Sequence, residues 1–286
     1  MKMDQFYERL DSLFSTGQID RVENFLKESK EQAQKEQDKA SLLAILNESM
    51  GYHRSIGSRE AVNEAEEALA LSESMGLAGT VHEGTTLLNV ATVYRTFGML
   101  DKAEELYQRG LEIYKRELDK EDYRLAGLYN NLSSLYADRE EFSRAIEALL
   151  EALSILEKNE GTEMERAVSL TNLTINYLRN NQVQEAENVM GQALSLFESQ
   201  PGERDAHYGM ALAARAEIYY VKREYQDAIL IYRQALEELR RCYGESLIYA
   251  AALENCAHIC ITAGYAEDSE PLLAHAAQIR EVCGGR

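Results

Sequence analysis

One pattern returns along this chain every 41 or 42 residues, and that spacing decides most of what the chain can fold into. Copies begin at Leu42, Gly84, Ala126, Ala167, Gly209 and Ala250. A fixed period of this length is the mark of a repeat architecture, in which each unit stacks only on its neighbours. Numbering from each start, position 8 is small: Ser49, Ala91, Ser133, Thr174, Ala216, Ala257. Position 11 is Tyr52, Tyr94, Tyr136, Tyr177, Tyr219 and then Cys260. Position 20 is Ala61, Ala103, Ala145, Ala186, Ala228 and Ser269, and position 27 is Ala68, Gly110, Ala152, Ala193, Ala235 and Ala276. Position 24 is Ala65, Tyr107, Leu149, Met190, Tyr232 and Leu273.

Such a pattern describes two antiparallel helices per unit. Small residues at 8 and 20 let the helices approach, large ones at 11 and 24 fill the flanks, and the small residue at 27 receives the next unit. Gly98 and Gly264 at position 15, and Gly57 at position 16, mark the turn between them. Only two prolines interrupt the chain, Pro201 and Pro271, and no stretch alternates long enough to argue a sheet.

These residues resemble the tetratricopeptide repeat. Tyr129-Asn130-Asn131-Leu132-Ser133-Ser134-Leu135-Tyr136 is similar to the first helix of the kinesin-light-chain kind of repeat, and Glu270-Pro271-Leu272-Leu273 to its second. The resemblance implies an all-α fold, a right-handed superhelical solenoid of six to seven antiparallel helix pairs. Residues 1–41 fit loosely, through Phe6, Leu10, Leu13, Gly17, Val22 and Leu26, and read as a divergent capping pair. Residues 42–283 form the array and 284–286 a fraying tail. Pro271 is expected near a helix start, where a missing N–H costs little. Position 4 lacks the tryptophan of the family pattern, and Glu48 and Arg215 stand at position 7, which is usually apolar.

The first helices of such an array line its inner wall, and positions 2, 5, 9, 12 and 13 point there, with 6 on the flank. Position 6 is Asn47, Asn89, Asn131, Asn172, Ala214 and Asn255. Asn is a poor residue inside a helix, so its recurrence asks for a reason. Either the amides hydrogen-bond the backbone of an extended guest peptide, as proteins of this kind do, or they tie neighbouring repeats together. Asn130, at position 5, points more squarely inward. Leu43, Leu46, Met50 and His53 belong to the same wall, as do Thr171, Tyr220 and His258. Arg54, Arg95 and Arg179 balance Asp138, Glu217 and Glu254, whereas the chain carries 49 acidic against 30 basic residues, a net charge of −19. The peptide-binding residues are therefore expected to be Asn47, Arg54, Asn89, Arg95, Asn130, Asn131, Asn172, Arg179, Tyr220, Asn255 and His258.

A chain of that charge repels phosphate backbones and anionic lipid, so no nucleic acid or membrane partner is expected. No secretion signal or membrane-length apolar run occurs, and the four cysteines suit a reducing, cytoplasmic setting. The five histidines fall at unlike repeat positions, and Cys256 and Cys260 occupy core positions 7 and 11. No catalytic group, metal or cofactor is expected. The family's clamp for terminal carboxylates is absent at position 5. The expected partner is a protein or peptide, bound by a scaffold or by a signalling-peptide sensor that changes superhelix shape. Weak self-association is expected through Ile259, Ile261 and Leu272 of the last repeat.

Overall fold

The structure is a computed structural model that describes residues 2–16, 18–199 and 205–284. Gly17, Pro201 and residues 285–286 of the expected tail lie outside the described residues. Every regular element among the described residues is helical. The order is α1 (Met3–Ser15), α2 (Ile19–Lys35), α3 (Lys39–Ser55), α4 (Glu60–Ser74), α5 (Val81–Thr96), α6 (Leu100–Glu117) and α7 (Tyr123–Asp138). There follow α8 (Phe142–Leu156), α9 (Glu163–Arg179), α10 (Val183–Ser199), α11 (Ala206–Val221), α12 (Tyr225–Tyr243), α13 (Leu247–Thr262) and α14 (Ala266–Gly284).

The helices gather into two compact units, 1–135 and 136–286, and the division between them falls within the span of α7. In the first unit each helix from α1 to α6 packs on the next, and the first helices α3 and α5 also touch. In the second the same chain of contacts runs from α8 to α14, with α9 also against α11. The predicted helix pairs are thus present in both.

Small-residue contacts hold each pair. Ala61, Ala103, Ala145, Ala186 and Ala228 are fully buried, as are Ala68, Ala152, Ala193, Ala235 and Ala276. Tyr107, Leu149, Met190 and Tyr232 fill position 24. The exception is Leu273, expected to be core and 42% exposed; among the described residues α14 packs chiefly on α13. Gly84 shows how tight the fit is. A Cβ there would sit 2.6 Å from the Tyr114 ring.

The hairpin turns share one geometry. The chain turns left-handed at Gly57, Gly98 and Gly264, and also at Glu140, Asn181 and Arg223 without glycine. The next amide then reaches back to a carbonyl five residues earlier: Met99 to Tyr94 (2.8 Å), Glu141 to Tyr136 (2.8 Å), Gln182 to Tyr177 (2.8 Å) and Glu224 to Tyr219 (2.9 Å). This satisfies the last carbonyls of the first helix. It also fixes where the second helix begins. Pro271 therefore falls inside α14, past the first turn, rather than at its start.

Residues 2–36 contain a true helix pair. Phe6, Leu10, Leu13, Val22 and Leu26 form a cluster with Ile45 and Tyr52 of α3.

Two substitutions separate turn strain from packing. Glu140→Gly should stabilise the protein by about 0.5–1 kcal/mol, since a left-handed residue with a Cβ costs about 1–2 kcal/mol and glycine's added chain entropy offsets part. Gly84→Ala should cost about 1–3 kcal/mol through overpacking. Both are read from thermal or urea unfolding.

Candidate functional site

The sequence points to the open face of the first helices, and each side chain's place on that face follows from its angle around the helix. At about 100° per residue, positions 2, 6, 9 and 13 cluster within one arc, and positions 5 and 12 lie off to one side. Leu46 and Thr171 at position 5, expected to line the wall, are buried, and so are Leu43, Met50 and His53. Position 12 turns toward the second helix of its own hairpin. His53 reaches Glu64 of α4 at 2.8 Å, and Arg95 hydrogen-bonds the Tyr107 hydroxyl of α6. Position 6 lies at one edge of that arc, and Asn47 and Asn89 there line the hollows on this face.

In the first unit this strip carries a trough. One hollow of about 560 Å³ is lined by Tyr7 of α1, by Leu43, Asn47 and Glu48 of α3, by His82, Thr85 and Asn89 of α5, and by Met75 and Leu77 before α5. A second, of about 210 Å³, is lined by Asn47, Gly51, Arg54, Leu88, Asn89, Thr92 and Asn131. Asn47 and Asn89 line both, so the hollows join.

The amides answer in part the question of their purpose. Asn89 Nδ2 donates to Asn47 Oδ1 at 2.8 Å, a bond between neighbouring repeats, and Asn47 Nδ2 donates to the Leu43 carbonyl at 2.9 Å. Asn131 makes no such rung; its amide returns to the Gly127 carbonyl at 2.9 Å, and Asn130 bonds Ala126 at 3.2 Å. In the second unit Asn172 is half-buried, and its carbonyl accepts from buried Asn176. Asn255 bonds the Tyr232 hydroxyl of the preceding repeat, and burial pushes that phenol up to about 12 despite the bond.

The arginines divide in the same way. Arg179 lies 3.9 Å from Glu217 of the next repeat, an exposed pair of small energetic weight. Arg95 hydrogen-bonds the Tyr107 hydroxyl, which Thr92 also meets at 2.9 Å, and Arg54 is near enough to act on it through its charge. Burial raises the Tyr107 phenol, and the hydrogen bonds and the two cations partly offset that rise. Arg54 has no carboxylate within ion-pair distance among the described residues. Tyr220 and His258 meet at 3.4 Å on the second unit's face, where Met210, Val221 and Ile261 are exposed.

Three groups escaped the sequence reading. Glu48 was seen only as an oddity at position 7, where Val90, Leu132, Leu173 and Cys256 are buried. Its side chain is exposed, yet partial loss of water beside α1, and then Asp11, hold its carboxyl above the usual range. Gly51 and Gly127 sit inside helices, yet a Cβ at either would meet nothing. Each costs about 0.5–1 kcal/mol relative to alanine with no packing return, and each lays backbone open on this face. Glu64, 3% exposed, stands at a core position that is Leu106, Ala148, Val189, Ile231 and Leu272 elsewhere. It accepts from Ser49 Oγ at 2.6 Å and pairs with His53, while Lys30 of α2 lies 4.0 Å away. These groups face the opposite side of the unit, in a hollow lined by Leu26, Lys27 and Glu60. Among the described residues no three His, Cys, Asp or Glu side chains are grouped to hold a metal, and no helix is long and apolar enough to cross a membrane.

The sequence model described as "Tetratricopeptide repeat" matches residues 82–158 and 124–199. Residues 82–199 are thus tetratricopeptide repeats. The chain's repeats are like those of kinesin light chains. A kinesin light chain-related protein of Arabidopsis thaliana (number 1 of its series) is 24% identical over 223 residues, which is 77% of this chain and 35% of that protein. The chain thus spans about a third of that relative's length. BtubC (BKLC) of P. vanneervenii superposes with a TM-score of 0.62 at 22% identity, covering 79% of this chain and 91% of that one. NprR, in complex with its cognate peptide NprX, superposes with a TM-score of 0.66 at 14% identity, covering 98% of this chain and 79% of that one. These likenesses show the fold, one typical of protein-interaction scaffolds.

Two measurements probe the local chemistry. A carboxyl with a raised folded-state pKa stabilises fully below its unfolded value, near 4.3, and that contribution is lost as pH rises through the folded value. Glu48→Gln should therefore raise Tm at about pH 7 and leave it unchanged near pH 4. Burial pushes the Cys256 thiol up to about 12 and raises Cys260, while Cys242 is exposed. Iodoacetamide on the native protein should label Cys242 well before Cys256 or Cys260, as peptide mapping would show.

Proposed function

We propose that the chain is a protein-interaction scaffold that receives an extended segment of a partner on the first-helix face of residues 2–135. One observation carries the reading. The trough along α3 and α5 combines an amide rung at Asn47 and Asn89, the bare backbone of Gly51 and a guanidinium, Arg54, left without a carboxylate in a chain of net charge −19. Amides offer donor and acceptor to any peptide backbone, bare helix backbone permits close approach, and the cation selects an acidic group. Asn131 extends the same surface. Arg95, Asn130, Asn172, Arg179, Tyr220, Asn255 and His258 are secondary candidates, because each already has a neighbour in the chain or lies away from the trough. The acidic part of the partner sits at Arg54. The partner is a protein or peptide and the setting is cytoplasmic.

A second reading, a signalling-peptide sensor that changes shape on binding, draws on the likeness to NprR bound to its peptide. It differs in consequence: a sensor compacts on ligand binding, which small-angle scattering reads, and a scaffold does not.

The test compares partner capture from the native host by three forms. Arg54→Glu with Asn89→Ala should lower recovery of a specific partner by roughly thirtyfold or more, the effect of losing one charged and one neutral hydrogen bond. Wild type and Lys27→Glu, on the opposite face, should retain it. Equal recovery by all three removes the trough as the docking surface.

A further inference from the structure

The trough is not uniform in charge, and its polarity bears on what it can hold. Glu48 stands at its wider end, beside Tyr7 and near Asp11, and Arg54 stands at its narrower end, with Arg95 behind it at Tyr107. Neither Glu48 nor Arg54 has an ion-pair partner among the described residues. Glu48 is exposed on the trough, at a position where other repeats bury an apolar side chain. Partial loss of water and Asp11 disfavour its charge, a penalty that a cation from outside would relieve. Gly51 lies midway between the two, three residues from each, with open space where its Cβ would be.

We infer that the trough on α3 is dipolar: it takes an extended partner segment with a basic side chain at Glu48 and an acidic side chain at Arg54, its backbone passing over Gly51. This rests on the docking face proposed above and adds the partner's charge pattern. The spacing follows from helix geometry. Six residues of α-helix span about 9 Å at 1.5 Å per residue. In an extended polyproline-like segment, side chains three residues apart share a face about 9.3 Å from one another. The basic and acidic residues of the partner are therefore about three positions apart. The amide rung of Asn47 and Asn89, which lines both hollows, meets the backbone between them. Charge complementarity of this kind sets register and direction more than affinity. A segment threaded in the opposite direction would set like charges against each other at both ends.

The probe is a set of blocked peptides of about nine residues of Ala, Ser and Pro, a length that covers three polyproline turns. One carries Lys then Glu about three residues later, one carries the reverse order, and one has Ala at both places. Binding to the full chain is followed by fluorescence anisotropy at low salt. One order should bind about tenfold tighter than the other, two ion pairs each near the upper end for exposed groups. Exchanging the ends, Glu48→Arg with Arg54→Glu, should exchange the preferred order. The neutral pair, Glu48→Gln with Arg54→Gln, keeps size and polarity and should abolish the preference while weak binding remains. Equal binding of both orders by the wild type, or a preference that survives the neutral pair, overturns the dipolar assignment and leaves the docking face standing. Absence of binding by every peptide up to about 1 mM, weaker than about 4 kcal/mol of association, overturns the docking face and the polarity together.

Discussion

Close approach of helix backbones through alanine is the contact on which everything else in this molecule rests. One helix pair is too thin to bury an apolar face of its own, so it is stable only against the next. That requires each helix to carry two small spots, one for its partner and one for the neighbouring pair. The buried alanines at positions 20 and 27 supply them, and the large residues at position 24 fill what the small ones leave open. Where a side chain is dispensed with altogether, at Gly84, the Tyr114 ring occupies its place. The open face of the first helices is a by-product of this stacking. It is free because both apolar sides of the pair are already taken.

The architecture was legible in the sequence because it is written six times. Averaging over Ala61, Ala103, Ala145, Ala186 and Ala228 turns a weak local signal into a firm one. The left-handed turn was readable at Gly57, Gly98 and Gly264, and invisible at Glu140, Asn181 and Arg223, where hydrogen bonding to the previous helix imposes the conformation without a glycine to announce it. Side-chain direction was legible only to within a flank. Leu46 and His53 were placed on the wall and are buried, because a difference of one residue is 100° of rotation. Pro271 was misjudged for a related reason: the turn, not the proline, sets where α14 starts.

The candidate site was half legible. The recurring asparagines drew attention to the right strip, yet their periodicity is partly internal, since Asn89 spends its amide on Asn47 and Asn255 on Tyr232. What distinguishes a site from a scaffold is the departure from the repeat. Glu48 at an apolar position, Gly51 and Gly127 with no packing need, and Arg54 without a counter-charge are each unlike their equivalents elsewhere. Locally unfavourable choices of this sort are where function is expected to interrupt foldability.

Glu64 is the other such departure, and it has a consequence for the array as a whole. Its carboxylate is shared by Ser49 and His53 and approached by Lys30. A buried polar cluster of this kind contributes little net stability, and its best-attested use is to specify which surfaces mate. Units of similar sequence could otherwise slip by one place or trade positions during folding. Here Lys30 of α2, Ser49 and His53 of α3 and Glu64 of α4 form a matched key, so a chain that looks like interchangeable beads has a defined first link.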